Sequence, residues 1–154
     1  IPGYYEEAGL IIKQARELGI EQPIIGADGF GDEKMVQLAG AENVSNVFYT
    51  GHFSILAPSN ETVEPFVAAF KEKFGKEPST FNALAYDAMF MIKQAIETQN
   101  VADAKSITKG LSELKDFKGV TGNITMDAQH NPEKSLVVIG FTDGKESSAE
   151  AINP

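Results

Sequence analysis

The residue whose position most clearly suggests chemistry is Asp28. The apolar segment Pro-Ile-Ile-Gly-Ala at residues 23–27 predicts a short strand, and Asp28 follows it directly in a turn with Gly29 and Gly31. In open α/β sheets, ligands bind in the crevice beyond the carboxyl ends of the strands. A carboxylate at that place can hold a cation, accept a phosphoryl group, or close an Asx turn by accepting a backbone N–H two residues ahead. The residues alone leave these three roles open.

Three aromatic residues are candidates for the walls of the same crevice. Tyr4 and Tyr5 are adjacent at a predicted strand-to-helix junction, so one ring can face the crevice while the other packs under the helix. Phe81 stands at the start of a long predicted helix and has the same two possible roles. An aromatic body with a hydroxyl tip suits a ligand that has an aliphatic side chain and a charged head. Packing of the rings within the protein is the alternative.

The sequence lacks the patterns of cofactor, metal and nucleophile sites. Gly26, Gly29 and Gly31 are spaced G-x-x-G-x-G, whereas a dinucleotide fingerprint needs G-x-G-x-x-G. There is no cysteine, no G-x-S-x-G elbow and no pair of histidines at i and i+4. His52 and His130 stand apart in predicted loops, where surface histidines are expected. We therefore predict no metal, no cofactor and no catalysis, and expect the chain to bind a small molecule.

A phosphoacceptor role for Asp28, as in the receiver domains of response regulators, would require further residues. Such a site needs an acidic pair on an earlier strand to hold magnesium and a lysine on a later strand, and neither can be placed here. Glu6 and Glu7 fall in the first turn of a predicted helix, where the helix dipole favours negative charge. A receiver-like domain or a small α/β enzyme stays an alternative, in which the acidic pair that holds magnesium would come from sequence that precedes this chain.

Composition narrows the class of partner. The 154 residues are 42% hydrophobic, which is enough for the core of one ordinary domain. Thirteen basic and twenty-two acidic side chains give a formal charge of −9, which repels nucleic acid and anionic membrane surfaces. No run of about 18 apolar residues is present that would predict a membrane span. We therefore expect no nucleic-acid partner.

The elements that must position Asp28 alternate between helix and strand in the first third of the chain. A helical pattern over residues 5–18 ends at Gly19, and the strand before Asp28 follows it. Asp32 is the predicted N-cap of a second helix that ends at Gly40, and residues 47–50 form a second strand. This alternation predicts an α/β fold with a mostly parallel, Rossmann-like sheet flanked by helices.

Beyond residue 52 the pattern changes to three successive helices. The first contains Phe66 and ends at Gly75, the second opens near Pro78 and carries Phe81, and the third begins near Asp103. Such a run cannot complete a parallel sheet. Two further strands are predicted at residues 124–126 and 136–141, the second leading into the turn Asp143-Gly144. The turn-rich segment 117–132 is a candidate crossing between domains.

The order of several short motifs resembles that of the branched-chain amino-acid binding proteins of ABC importers. The similarity extends over residues 4–143. The motifs are Gly3-Tyr4-Tyr5, Ala8-Gly9, Lys13-Gln14-Ala15-Arg16, Gly26-Ala27-Asp28-Gly29, Tyr86-Asp87-Ala88 and Phe117-Lys118-Gly119-Val120-Thr121-Gly122-Asn123-Ile124.

The resemblance implies the type I periplasmic binding protein fold, in which two α/β lobes joined by three crossings close on an amino acid. It also implies that this chain is the C-terminal half of such a protein. Residues 1–52 would then belong to the C-terminal lobe and residues 53–130 to the N-terminal lobe. Residues 131–154 would cross back and form the tail. Neither lobe would be complete, which accounts for the three successive helices.

The resemblance further implies a role outside the cytoplasm, in the periplasm or on the cell surface as a lipoprotein. The chain would be the solute-binding component of an ABC importer for a branched-chain or related amino acid, with a membrane permease as its partner. A ligand-binding sensor domain of the same fold is the alternative. A sensor would continue into a transmembrane helix.

The family's ligand contacts fall on residues already singled out. The acid that receives the ligand's α-ammonium falls on Asp28, the crevice tyrosine on Tyr4, and an aromatic near the ligand side chain on Phe81. Tyr5 and Gly29 complete the predicted ligand-binding set. The family often has glutamate where this chain has Asp28. The serine and threonine groups that hold the ligand's α-carboxylate in this family would lie in the preceding half.

Incomplete lobes would leave strand edges exposed. Exposed edges pair with other chains, so we expect this chain on its own to self-associate or to exchange elements between copies. Light scattering at high concentration measures this association directly.

Overall fold

The computed structural model describes residues 1–153, which form five α-helices and seven strands. The helices are α1 (Tyr5–Glu17), α2 (Glu33–Ala39), α3 (Val63–Phe74), α4 (Thr80–Gln99) and α5 (Ala104–Ser112). The strands are β1 (Ile24–Gly26), β2 (Val47–Gly51), β3 (Phe117–Gly119), β4 (Gly122–Met126), β5 (Pro132–Glu133), β6 (Leu136–Thr142) and β7 (Lys145–Ile152). Short 3₁₀ turns cover Asp28–Phe30 and Ala41–Asn43. No helix within the described range is both long enough and apolar enough to span a membrane.

The larger sheet has the strand order β1-β2-β6-β7 and is mixed rather than mostly parallel. Strands β1 and β2 are parallel, as the helix between them requires, whereas β6 is antiparallel to β2. The predicted turn at Asp143-Gly144 then reverses the chain directly into β7. Both turn residues have positive φ, 49° and 71°, which is the backbone of a tight hairpin turn. Two of the three strand pairs are therefore antiparallel.

The sequence of strand β7 does not predict a strand by its composition or its pattern. Its residues, KESSAEAI, include five that are lysine, glutamate or serine, and they do not alternate between apolar and polar. β7 lies at the edge of the sheet, where one side of the strand faces solvent and charged side chains are tolerated. Pairing with β6 forms this strand in spite of its weak local propensity.

Residues 117–132, predicted as a turn-rich crossing, form most of a second, smaller sheet instead. Its order is β3-β4-β5, and both pairs are antiparallel. The β3–β4 hairpin closes through the pair Gly119–Gly122, which leaves Val120 and Thr121 as the two loop residues. Phe117 and Ile124 face each other across this hairpin and are both buried. Burial of this apolar pair stabilises a hairpin that contains many turn residues.

The buried apolar residues form three clusters. The first cluster packs α1 and α2 against the larger sheet and contains Ala8, Ile12, Ile24, Phe30, Met35, Ala39, Val44, Val47, Tyr49, Val137, Ile139 and Phe141. The second cluster contains Phe53, Val63, Phe66, Ala83 and Val120, and the third contains Leu114, Phe117 and Ile124. The chain thus leaves the first cluster after Tyr49 and returns to it at Val137. The division into lobes at residues 52 and 130 stays a prediction, and Pro154, the end of the predicted tail, lies outside the described residues.

Candidate functional site

The carboxyl ends of β1 and β2 bring two titratable side chains together. Because these strands are parallel neighbours, the residues that follow them leave the sheet at the same edge. Asp28 follows β1, and His52 follows β2 directly. We call these two residues, together with Tyr4, Gly29 and Phe81, the strand-end cluster.

The carboxylate of Asp28 is free of intramolecular hydrogen bonds within residues 1–153. Its side chain is 54% exposed, and its nearest ionic partner is His52, whose Nε2 lies 3.7 Å from Oδ2. The Asx turn considered from the sequence does not form. The backbone N–H of Phe30 donates to the carbonyl of Ala27, and that of Gly31 donates to the carbonyl of Asp28. The acceptor sites of this carboxylate are therefore open toward solvent.

The three aromatic rings lie side by side above this edge. The ring of Phe81 lies 6.4 Å from that of Tyr4 in a stacked arrangement, and 6.2 Å from that of Tyr5 in an edge-on arrangement. Tyr4 is 64% exposed, whereas Tyr5 packs against the first cluster. The sequence predicts this split, with one ring in the crevice and one under the helix.

Two glycines allow the elements of the site to approach closely. A Cβ atom on Gly29 would collide with the carbonyl oxygen of Gly3 and lie 3.1 Å from Cα of Tyr4. One on Gly31 would collide with the side-chain methyl of Thr80, the first residue of α4. Close packing of the Gly29 backbone on Gly3 and Tyr4, and of the Gly31 backbone on the Thr80 side chain, fixes the turn of Asp28 against the start of α1 and the start of α4. The positions of Tyr4 and Phe81 relative to Asp28 follow from it.

His52 is not the surface histidine that the sequence predicts. Its side chain is 26% exposed, and its Nδ1 atom is buried without a hydrogen-bond partner in the described part of the chain. Burial and the charge of Lys134 lower the pKa of His52 below its usual value, against the opposing effect of Asp28. The sequence signal for this placement is that His52 directly follows β2, which runs parallel to β1 and ends at the same edge of the sheet. His130 is exposed in the β4–β5 turn, as predicted.

A second carboxylate, that of Asp87, lies buried between α4 and the β3–β4 hairpin. One oxygen accepts from the backbone N–H of Val120 at 2.8 Å. The other accepts from the backbone N–H and the hydroxyl of Thr121, at 2.8 and 2.7 Å. The Thr121 hydroxyl in turn accepts from Nζ of Lys134 at 2.6 Å. We call these four residues the Asp87 network.

Lys134 links the Asp87 network to the strand-end cluster. Burial lowers the pKa of its ammonium group to about 8, and the nearby charge of Asp87 opposes that change. The same ammonium is the positive charge that acts on His52. Lys134 comes just before β6, and the pair Gly51–Val137 joins β6 to the end of β2 next to His52. The ammonium of Lys134 and the imidazole of His52 therefore lie near each other on the two chain segments that connect the clusters.

Of the cavities found in the described residues, a small one of about 100 Å³ borders His52 together with Thr121 and Ser135, and the two larger ones are lined by no residue of the strand-end cluster. The largest, about 820 Å³, lies between α3 and α4 and is lined mainly by apolar and aromatic residues that include Phe66, Phe70, Phe74, Tyr86 and Phe90. Another, of about 600 Å³, separates α2 from the start of α4. Asp28 and Tyr4 lie on an exposed surface, at 54% and 64% exposure. Within residues 1–153, no group of three or more His, Asp or Glu side chains is arranged to hold a metal ion.

The chemistry of the strand-end cluster suits a cationic group with an apolar neighbour. A carboxylate that lacks intramolecular partners can accept several N–H bonds from an ammonium group, and charge-assisted bonds of this kind are the stronger ones. The stacked rings of Tyr4 and Phe81, on the two elements that contact the turn of Asp28, offer apolar surface.

Comparison with known proteins gives one family. The sequence model described as periplasmic binding protein matches residues 4–145. Leu/Ile/Val-binding protein homolog 1 of Brucella abortus (strain 2308) is 28% identical over 131 residues, which are 85% of this chain and 34% of that protein. The chain therefore spans about a third of the length of this curated relative.

Two solved structures match nearly the whole chain, each with a TM-score of 0.92. One is the substrate-binding protein LivJ of the branched-chain amino acid transporter of Streptococcus pneumoniae, in complex with isoleucine. It is 40% identical, and the match covers 99% of this chain and 43% of that one. The other is the leucine-binding protein LivK of Thermotoga maritima MSB8, which is 36% identical over all of this chain and 44% of that one.

Proposed function

The chain belongs to the periplasmic binding protein family and has its type I fold, and from this premise we propose that it is part of a two-lobe protein that captures a branched-chain or related amino acid. The resemblance that the sequence motifs indicate is confirmed by the family match and by the two solved relatives. In this proposal the chain supplies the ammonium-binding side of the ligand site. It performs no catalytic step.

The observation that supports the proposal most strongly is the environment of the Asp28 carboxylate. Its carboxylate lies in the turn that follows β1, is about half exposed and accepts no hydrogen bond from the described residues. A ligand ammonium enclosed between two lobes loses its water, and leaving it unpaired would be very costly. Asp28 supplies the fixed opposite charge, and the rings of Tyr4 and Phe81, on the two elements that contact its turn, would contact the ligand's aliphatic side chain.

The proposal also accounts for apolar surface that the chain does not cover by itself. Ile25, Leu136 and Val138, on strands of the larger sheet, are 36–62% exposed, and on α4 Met89 and Phe90 are 65% and 42% exposed. The chain spans 43–44% of the two solved relatives, so in this proposal other sequence contributes more than half of the two-lobe fold. We propose that this sequence covers these surfaces and supplies the groups that hold the ligand's α-carboxylate. Without it, we expect the chain to self-associate.

We extend the proposal from amino-acid binding to amino-acid transport. LivJ is named as the substrate-binding protein of a branched-chain amino acid transporter. By analogy, the two-lobe protein would work outside the cytoplasm, in the periplasm or as a surface lipoprotein, and would deliver its ligand to a membrane permease of an ABC importer.

Calorimetric titration of leucine, isoleucine and valine into the two-lobe protein tests the proposal. We expect Asp28→Ala to weaken binding by about 2–5 kcal/mol, because it leaves the ligand's ammonium without its opposite charge. That is a loss of at least about 25-fold in affinity. Asp28→Glu should keep measurable binding, because it retains the carboxylate.

Glu6→Gln is the matched control for net charge. Glu6 is an exposed acid in the first turn of α1 near Tyr5, and the substitution removes one negative charge without touching the strand-end cluster. Its affinity should stay within about twofold of the wild type, because Glu6 is exposed and its ionic contact is with Lys34 rather than with a residue of the strand-end cluster. A loss of less than about threefold in Asp28→Ala would remove Asp28 from the site. Absence of binding to the wild type would contradict the proposed ligand class.

A further inference from the structure

His52 occupies the junction between the strand-end cluster and the chain segment that leaves the first cluster. It follows the last residue of β2, Gly51, and it precedes Phe53, which is buried in the second cluster. On the other side, Lys134 precedes β6, the strand that returns to the first cluster. Movement of one cluster relative to the other would therefore change the surroundings of this side chain.

The ring of His52 presents its two nitrogens to different environments. Nε2 lies 3.7 Å from the Asp28 carboxylate, while Nδ1 is buried without a partner among residues 1–153. A carboxylate accepts but cannot donate, so a neutral ring facing it places its proton on Nε2. The Nε2–H of the imidazole then faces the Asp28 carboxylate at 3.7 Å, an electrostatic contact longer than a hydrogen bond, and the unprotonated Nδ1 lies inside. Protonation of Nδ1 would put a donor where the described chain provides no acceptor.

The charges that face His52 come from two elements. Asp28, in the first 3₁₀ turn, favours the protonated ring, and Lys134, in the segment before β6, disfavours it. Burial disfavours it further and is the largest effect on the pKa. At neutral pH the ring is therefore neutral, and the full charge of Asp28 is available to a ligand.

We propose that His52 is a positioning residue of the ligand site, whose neutral ring steadies the Asp28 carboxylate for the ligand's ammonium and whose protonated ring competes with that ammonium. The inference rests on the proposed function and extends it from the identity of the ammonium partner to its control by pH. An imidazolium at this distance would neutralise the charge that the ligand needs. Ligand binding and protonation of His52 thus exclude each other, at least in part.

The sign of the pH effect follows from this competition. The pKa of His52 lies below the usual 6.5, so affinity should be constant above that value and should fall as the pH drops through the pKa. By linkage, the bound ammonium should in turn lower the pKa of His52, because the two processes are coupled reciprocally.

Leucine affinity of the two-lobe protein, measured by calorimetry from pH 5 to pH 8 at constant ionic strength, tests the inference. Exposed carboxyl groups ordinarily titrate near 4, so they stay largely ionised in this range, whereas burial raises the pKa of Glu146, which belongs neither to the strand-end cluster nor to the charges that face His52. We expect wild-type affinity to be at least about threefold weaker at pH 5 than at pH 7.5, because the protonated fraction of His52 grows as the pH falls toward its pKa, which lies below the usual value. His52→Gln keeps a neutral amide that can donate, so its affinity should change by less than about 1.5-fold over the range.

His130→Asn is the matched control, since His130 is the other histidine of the chain and is exposed far from Asp28 in sequence. Its pH profile should follow that of the wild type. A second readout, the NMR titration of the His52 ring in the wild type, does not depend on whether His52→Gln folds. Its midpoint should be lower with saturating leucine than without.

The outcomes separate this inference from the proposed function. Wild-type binding that is flat from pH 5 to pH 8, or a His52→Gln profile identical to the wild type, would overturn the role of His52 while leaving the amino-acid site in place. Equal NMR midpoints with and without leucine would do the same. Absence of amino-acid binding by the wild type at every pH would instead overturn the proposed function, and this inference with it.

Discussion

Asp28 and Asp87 are two aspartates with opposite surroundings. Asp87 is 2% exposed and accepts three hydrogen bonds from Val120 and Thr121. Asp28 is about half exposed, accepts none from residues 1–153, and has only His52 within ionic reach, at 3.7 Å. The carboxylate of Asp87 is fully engaged in hydrogen bonds within the fold, whereas the carboxylate of Asp28 is free to bind a ligand.

This contrast indicates a structural role for the motif that contains Asp87 and a binding role for the motif that contains Asp28. The segment Tyr86-Asp87-Ala88 places a carboxylate under the Val120–Thr121 loop, so the β3–β4 hairpin is fixed to α4. The segment Gly26-Ala27-Asp28-Gly29 places a carboxylate at a strand end, where close backbone contact fixes its position but leaves its oxygens free. Substitutions at the first should therefore affect stability, and those at the second should affect binding.

The largest effect should come from Asp87→Ala. The substitution leaves the backbone N–H groups of Val120 and Thr121 buried without acceptors, and it removes the negative charge near Lys134. Removing one partner from a buried, hydrogen-bonded charge network typically costs about 3–5 kcal/mol. Urea denaturation of the two-lobe protein, followed by circular dichroism, measures the change in the free energy of unfolding. A loss below about 1 kcal/mol, the range of exposed charges, would contradict a structural role for Asp87.

A smaller effect should come from Lys134, which connects the two regions. Its folded pKa is about 8, below the value of about 10.4 expected when unfolded. Between these values the unfolded chain binds a proton that the folded chain does not, so Lys134 makes stability rise with pH from 8 to 10.5. The difference in unfolding free energy between the wild type and Lys134→Met should therefore increase across this window. We expect of order 1 kcal/mol, because the ammonium keeps part of its hydration.

Other lysines and tyrosines also titrate in that window, so the comparison of the two proteins is essential. Lys145→Met, at the exposed start of β7, is the matched control. Its difference from the wild type should stay constant with pH. A constant difference for Lys134→Met as well would mean that the ammonium is fully hydrated and separate from the Asp87 network.

The smallest effect on stability should come from Asp28→Ala. No hydrogen bond within residues 1–153 depends on this carboxylate, and exposed sites of this kind usually change stability by less than about 0.5 kcal/mol. The same denaturation measurement on ligand-free protein checks it. A loss comparable with that of Asp87→Ala would remove the distinction between the two aspartates.

Local sequence patterns predict the parts of the fold that depend on local geometry. Helix α1 occupies Tyr5–Glu17 where apolar spacing places it, and Asp32 and Asp103 cap α2 and α5 through hydrogen bonds to backbone N–H groups. The Asp143-Gly144 turn forms as predicted. Caps and tight turns are decided within a few residues, so their signals are present in short segments.

Features that depend on long-range pairing were not predictable in the same way. β7 is a strand because β6 lies beside it, and the β3–β4 hairpin is stabilised by burial of Phe117 against Ile124. The local sequence predicts His52 at the surface, because its partner Asp28 is 24 residues earlier in the chain and no nearby residue indicates the contact. Its place beside Asp28 follows only once β1 and β2 are known to be parallel neighbours. The roles of Asp87 and Lys134 likewise depend on elements that meet only in the folded chain.

The most direct test of the central claim, that Asp28 is held free for a ligand's ammonium, is a crystal structure of the two-lobe protein with leucine bound. The account predicts that the leucine nitrogen lies about 2.7–3.2 Å from an oxygen of Asp28, with the rings of Tyr4 and Phe81 against the ligand. A leucine whose nitrogen binds elsewhere, with Asp28 still facing only solvent and His52, would contradict it.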